Sequence, residues 1–360
     1  MTVIPKLTLR TPSDILAAVP YVVGFHPADS LVVLGFGGTE LLLTTRWDLR
    51  PEPRGLEQLG PLLRREKITM AVIVGYGPED VVDAPVLEVG RLLEKAGVHV
   101  MEALRAEDGR YWSYACETIV CCPEDGMPYD PVSSPVAAEA VVRGLVALPD
   151  REALRSSVTP SGGAAMRDAT RAEAVCLRSR LGGRPANGLA AELVAEGLSR
   201  VREAIDLYDS GGRLDDRAAA RLGFDLMVIR VRDEAWASLD DRDAHIALWT
   251  DLTRRLDPRH AAPAASLLAA AAWRSGDCAL AGMALERALA ADPGYSMARL
   301  LSQALNNLLS PVALRDRMPT SEELDAEMGT PRASWLGPLL EVLDDTLGDA
   351  FGEEPGARAS

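Results

Sequence analysis

"ITMAVIVGYGPEDVVDAPVLEVGRLLEKAGVHVMEALRA" (residues 68–106) is the stretch that decides the fold class. Its opening "ITMAVIVGY" reads as a strand, "VVDAPVLEVGRLLEKAG" as a helix and "VHVMEALRA" as a second strand. Two strands bracketing one helix imply a parallel crossover, normally right-handed. Upstream, "LVVLGF" and "ELLLTTRW" flank Gly37-Gly38-Thr39 and predict a β-hairpin with a glycine turn, followed by a helix over "GLEQLGPLLRRE". Downstream, Asp108-Gly109 signals another hairpin, returning through "RYWSYAC". At the front, Thr11-Pro12-Ser13-Asp14 starts a short helix from Ile15 to about Val19, which Pro20 is expected to break. Residues 1–130 therefore read as an α/β domain with a mixed sheet of about five strands.

The loop-forming run "CCPEDGMPYDPVSSP" marks the expected boundary. Beyond it, residues 131–310 read as an all-α helical domain, with Leu189, Leu193, Val201, Ile205 and Tyr208 at helical spacing, as are His245, Leu248, Trp249, Leu252 and Leu256. Within it, residues 263–292 form a helical hairpin joined at Ser275-Gly276-Asp277, with the small and large apolar residues of a tetratricopeptide-like unit. Residues 311–360 read as an acidic flexible tail, in which "PTSEELDAEMGTPRAS" is a disordered linker and residues 335–351 an amphipathic helix.

The 360 residues carry a formal net charge of −15, which argues against a nucleic-acid binder because phosphate contacts need Lys and Arg. The sequence shows no secretory signal and no apolar run long enough for a bilayer, so the expectation is a cytoplasmic protein with no membrane contact. Five cysteines make an odd count for a disulfide framework, and free thiols are expected.

His26, Asp29 and Ser30 invite comparison with a nucleophilic triad. Three residues within five positions of one loop rarely supply the two aligned hydrogen bonds a triad requires, and the same residue types serve as the polar joint by which a helix enters a sheet. Gly75-Tyr76-Gly77-Pro78 sits where a phosphate loop would, yet Glu79 and Asp80 stand in the place of phosphate charge; Tyr76 and its loop remain a ligand-binding candidate. In "GRYWSYACETIVCCPEDGMPYD", Arg110, Trp112 and Tyr114 could face a ligand across the hairpin, with alternation separating Tyr111 and Ser113 from Trp112 and Tyr114. Cys116, Cys121 and Cys122 form a thiol cluster that would hold zinc only with a fourth ligand such as Cys176, His26 or His99. No C-x-x-C pair occurs, so core packing or a redox role are the competing readings, and neither a metal nor another cofactor is expected. In the tail, Trp335, Leu336, Leu339, Leu340, Leu343, Leu347 and Phe351 would share one helical face, suited to a partner's groove or to the chain's own helical domain.

"LRTPSDILAAVPYVVGFHPADSLVVLGF", "GRYWSYACETIVCCPEDGMPYD", "SPVAAEAVVRG" and "AWRSGDCALAGMALERALAADPGYSMA" resemble the domain of unknown function 4192 family of actinobacteria, over approximately residues 5 to 310. The resemblance implies the α/β-then-helical order and a cytoplasmic actinobacterial origin, and no activity, cofactor or catalytic residue. The expectation is a non-catalytic binding or adaptor protein that engages a protein partner through its helical domain and tail. The alternative is an enzyme or small-molecule or redox sensor, using a crevice formed by the His26 loop, the Gly75 loop and the hairpin bearing Cys116 to Cys122.

Overall fold

Thr11 opens the first helix, α1 (Pro12–Val23), with a capping box: its side chain accepts from the Asp14 amide and the Asp14 carboxylate accepts from the Thr11 amide. The helix runs through Pro20 instead of breaking there, and ends at Gly24, whose φ of 88° lets its amide close onto the Pro20 carbonyl. Burial of Leu16, Ala17, Ala18, Val19 and Val23 outweighs the backbone hydrogen bond that proline removes.

The computed structural model describes residues 7–50, 53, 55–116, 118, 122–182, 187–307, 309, 311–315 and 318–348. After α1 come β1 (Ser30–Gly37), β2 (Glu40–Asp48), α2 (Leu59–Arg65), β3 (Met70–Tyr76), α3 (Glu79–Lys95), β4 (His99–Glu107), β5 (Arg110–Ser113) and β6 (Met127–Pro128). One six-stranded sheet holds them in the order β2-β1-β3-β4-β5-β6. β3 and β4 pair in parallel and the other neighbours antiparallel, giving the mixed α/β sheet that the crossover implies. The sixth strand is two residues long and falls inside the Pro-rich loop; Pro128 pairs in register with Arg110 of β5, and as the last strand of the sheet β6 tolerates a proline. α3 covers one face of the sheet, and Gly75 makes room for it, since a Cβ there would stand 2.2 Å from Val82 Cγ1 and 3.1 Å from Val86 Cγ2.

The chain divides into two units at Leu154 and Arg155, beyond the loop where the sequence suggests a boundary. The first unit extends this far because α4 (Pro135–Val142) returns to α1, with Val136 packed in one cluster with Ala17 and Ala18. A short helix, α5 (Arg151–Ser156), bridges the division in sequence.

The second unit is helical: α6 (Ala164–Leu181), α7 (Asn187–Asp209), α8 (Asp216–Asp225), α9 (Ile229–Ala237), α10 (Asp243–Arg255), α11 (Ala261–Ser275), α12 (Cys278–Ala291), α13 (Ser296–Asn306), α14 (Pro311–Arg315), α15 (Ser321–Met328) and α16 (Gly337–Gly348). α11 and α12 form the expected hairpin, turned at Gly276 and capped by Asp277, whose side chain accepts from the Leu280 amide. Every residue of α11 from Ala261 to Trp273 is buried, so this alanine-rich helix is the unit's axis, packed by α9, α10, α12 and α13. Between α6, α7 and α8 a charged network holds the helices: Arg200 reaches Asp225 at 2.6 Å, Arg180 reaches Glu196 at 2.5 Å and Arg221 reaches Asp225 at 3.2 Å. The Arg180 hydrogen bonds hold the Glu196 carboxyl down at about 2.

α15 corrects the reading of residues 319–334 as a disordered linker. Thr320 and Glu323 form a capping box, and Leu324 anchors the helix. The segment is polar because the rest of this helix faces water, not because it lacks structure. No helix among the described residues is long and apolar enough to cross a membrane.

The close approach of α3 to β3 yields a direct check. Gly75→Ala is expected to destabilise the sheet unit by about 1–3 kcal/mol through overpacking against Val82, read as a lower urea midpoint with an unchanged slope.

Candidate functional site

The register of the sheet aligns Asp48, Ser30, Tyr76, Ala106, Tyr111 and Met127 in one row across all six strands. Residues in register share a face and their chain neighbours take the opposite one. Ser30 and Tyr76 are thus brought together at the carboxyl end of β3, as the crevice reading requires. Trp112 is in register with Arg105 in the adjacent row, on the face that α3 covers, so Trp112 does not join Ser30 and Tyr76, and Tyr111 is the hairpin residue in their row.

The His26–Ser30 segment is the joint and not a triad. The His26 amide donates to the Leu148 carbonyl at 3.0 Å, and Leu148 returns a bond to Gly24 at 2.8 Å, so residues 24–26 run as a short bridge. Asp29 takes a φ of 42°, its carbonyl accepts from the Leu49 amide at 2.8 Å, and its carboxylate lies 3.7 Å from Arg50. Ser30 is fully buried; its hydroxyl donates to the Ala28 carbonyl at 2.7 Å and accepts from Arg46 Nε at 3.1 Å. A hydroxyl whose proton is held by a backbone carbonyl and whose lone pair is held by a guanidinium is not poised to attack. Arg46 also bonds Asp48 and lies over the Phe25 ring; burial lowers its pKa against the pull of Asp48.

The hairpin residues are engaged in the same way. Arg105 stacks on Trp112 at 3.7 Å and pairs with Glu107 at 2.8 Å and Glu79 at 3.5 Å, so protein carboxylates meet this cation at the start of α3. Trp112 Nε1 donates to the Glu124 carbonyl at 2.9 Å, and Arg110 donates to the Asp125 and Gly126 carbonyls at 3.0 and 2.9 Å. Gly126, at φ 75°, allows the ring this close, since a Cβ would stand 2.6 Å from it. The Tyr114 hydroxyl donates to Asp83 on α3, and burial followed by this bond pushes its pKa far up.

Of the thiol cluster, Cys116 and Cys122 are half-buried, and Cys121 lies outside the described residues. Among the described residues no three His, Cys, Asp or Glu side chains are grouped to hold a metal ion. Two buried side-chain hydroxyls on the sheet have no hydrogen-bond partner among the described residues, that of Thr45 on β2 and that of Tyr76 at the carboxyl end of β3. Burial, with Tyr129 adding, raises the Tyr76 pKa well above the usual value.

The helical unit presents two surfaces. Along α10 runs an open groove of about 570 Å³, lined among others by Ser161, Arg213, Asp243, Thr250, Asp251 and Arg254. Its two arginines are matched by two aspartates, and Asp251 already accepts from Tyr208, Arg213 and Arg255, so the lining selects no charge.

The second surface is occupied by residues 318–348. Leu336, Leu339 and Leu343 are buried, the last two on α16 against α6, while Trp335, Leu340 and Leu347 are half-buried and Phe351 lies outside the described residues. Asp344 pairs with Arg178 of α6 at 3.1 Å, and the Ala333 amide donates to Asn187 of α7 at 2.9 Å. Asp325 accepts from the buried Arg230 of α9 at 2.7 Å, and Ser321 donates to Glu234 at 3.1 Å. Burial works against the Arg230 charge, but Asp325 and Glu234 more than compensate and raise its pKa. Thr346 donates to the Val342 carbonyl at 2.7 Å, so its oxygen accepts from His260 Nε2 at 3.1 Å, which places the proton of the neutral imidazole on Nε2. Sequence reading missed Arg178, Arg230 and His260, which carry no local signal, and missed α15, whose signal was present in Thr320 and Glu323 as a capping box.

These features define a protein made of a mixed-sheet α/β unit and an all-helical unit on which its own last described helices lie. A family model described as Domain of unknown function (DUF4192) matches residues 12–312, and the chain belongs to that family. No curated protein and no solved structure matches it. The match takes in the sheet and the helices through α13 and ends within α14, leaving α15 and α16 beyond it.

Burial lowers the His260 pKa to about 4, with Asp257 pulling upward. The unfolded chain therefore takes this proton first as pH falls, and stability present above about pH 6.5 is lost progressively toward pH 4. His260→Gln, which keeps a donor toward Thr346, should flatten the stability profile over that window by about 3 kcal/mol, measured by urea unfolding at each pH.

Proposed function

We propose that the protein is a non-catalytic binding module of the cytoplasm, an adaptor that engages a protein partner through its helical unit. One observation carries this reading: α6, α7 and α9 form a surface that already accepts an amphipathic acidic segment through leucines and two arginines. The tetratricopeptide-like spacing of α11 and α12 fits a helical scaffold of this kind, although α11 itself is enclosed and the surface lies elsewhere. The polar residues of the sheet unit support it indirectly, because Ser30, Arg105, Arg110, Trp112 and Tyr114 are each engaged by a neighbour in the fold.

A second reading, a small-molecule sensor or enzyme at the carboxyl end of β3, draws on the buried and unpartnered Tyr76 hydroxyl. An orphaned buried hydroxyl costs about 1–3 kcal/mol, which a bound polar ligand would recover.

Tagged full-length protein and a form ending at residue 312, purified from the native cytoplasm, test the first reading. A partner protein retained by one form in excess of the other is the expected result, and identical empty profiles sink it. Native mass spectrometry of the same full-length sample tests the second. A bound small molecule that disappears in Tyr76→Phe supports it, and the bare chain mass in both samples removes it.

A further inference from the structure

Residues 318–348 are held on the helical unit by few contacts. α15 contributes one buried side chain, Leu324, and the remainder of the segment contributes Leu336, Leu339 and Leu343 with Thr346. The charged contacts lie on the rim of this apolar strip, where the acidic partners stay exposed: Asp325 at 74% and Asp344 at 59%. Segments with so little buried apolar area for the backbone they order open locally, ahead of global unfolding.

The receiving surface is complete without them. Arg230, the most buried of its cations at 5% exposed, has a second carboxylate in Glu234 at 2.8 Å on its own helix, so its charge stays matched when Asp325 leaves. Arg178 is 41% exposed and needs no counter-ion. Arg178, Asn187, Arg230, Glu234 and His260 all lie within the family match, and the segment they receive lies beyond it.

We infer that this strip is a docking site for an acidic amphipathic helix of a partner protein, and that residues 318–348 occupy it in cis as a competitor. The inference rests on the reading of the helical unit as the recognition surface and adds its partner class and its regulation. The chemistry of the occupant follows from what the strip accepts: leucines at positions i, i+3 and i+7, as in Leu336, Leu339 and Leu343, with a carboxylate next to the last of them to meet Arg178. A partner helix carrying that pattern binds only as the tail lifts, so the tail sets a threshold on its affinity.

The test uses the full chain and a fluorescent synthetic peptide of residues 318–348 as probe. The double variant Asp325→Lys, Asp344→Lys weakens the cis occupant while leaving the strip intact. The peptide should bind this variant at least about tenfold more tightly than it binds the wild-type chain, and a peptide carrying the same two lysines should bind neither. Leu324→Ala provides a second full-length chain, which loses the single leucine anchor of α15 and no charge, and it too should take up the peptide more tightly than wild type. Failure of the peptide to bind either variant overturns the inference, with far-UV circular dichroism confirming that both are folded. Failure of the functional reading is distinct: peptide uptake with no partner retained from the cytoplasm removes the adaptor role alone, whereas a retained partner that excess peptide does not release removes this inference alone.

Discussion

A charge taken out of water must keep a counter-group within hydrogen-bond reach, and this constraint organises both units of the protein. Arg105, Asp225 and Arg230 are the clearest cases. Arg105 joins β4 to the start of α3 and to the aromatic hairpin through Glu107, Glu79 and Trp112. Asp225 of α8 is tied to α7 through Arg200 and is paired within its own helix by Arg221. Arg230 joins α9 to α15. Losing Arg200 and Arg221 would leave Asp225 stranded, whereas Arg230 keeps Glu234 when Asp325 leaves, so the pairs fix geometry more than they add stability.

The same constraint explains why conspicuous polar residues can be structural. Ser30 lies in the core, where its hydroxyl holds Ala28 and Arg46 in place at the entry to β1. Glu79 stands at the head of α3, where an anion binds in many parallel α/β folds, and it meets Arg105 instead of a ligand. Tyr76 departs from the pattern, with a hydroxyl on the buried end of β3 that has no partner among the described residues.

On the helical unit, the arrangement is asymmetric. α11 is enclosed and forms the axis, and the strip over α6, α7 and α9 receives a segment that stays polar on its outer side. Leucines supply the contact and carboxylates its orientation, the division of labour expected where an amphipathic helix lies in a groove.

The strand, helix and strand of residues 68–106, the glycine turn at Gly37-Gly38 and the hairpin at Asp108-Gly109 were all legible, because period, propensity and turn chemistry are local properties. The α11–α12 hairpin and the apolar stripe of residues 335–347 were legible for the same reason. Local signals misled where packing overrode them: Pro20 sits inside α1 because its neighbours are buried, and residues 321–328 are helical because Leu324 finds a surface to lie on. The order of the strands, the placement of Trp112 and Ser30 on opposite faces, the isolation of the Tyr76 hydroxyl and the surface that covers the stripe were decided by tertiary structure alone. A sequence records which face of a helix is apolar or which residue carries a charge, and only the folded chain determines which distant residue stands opposite it.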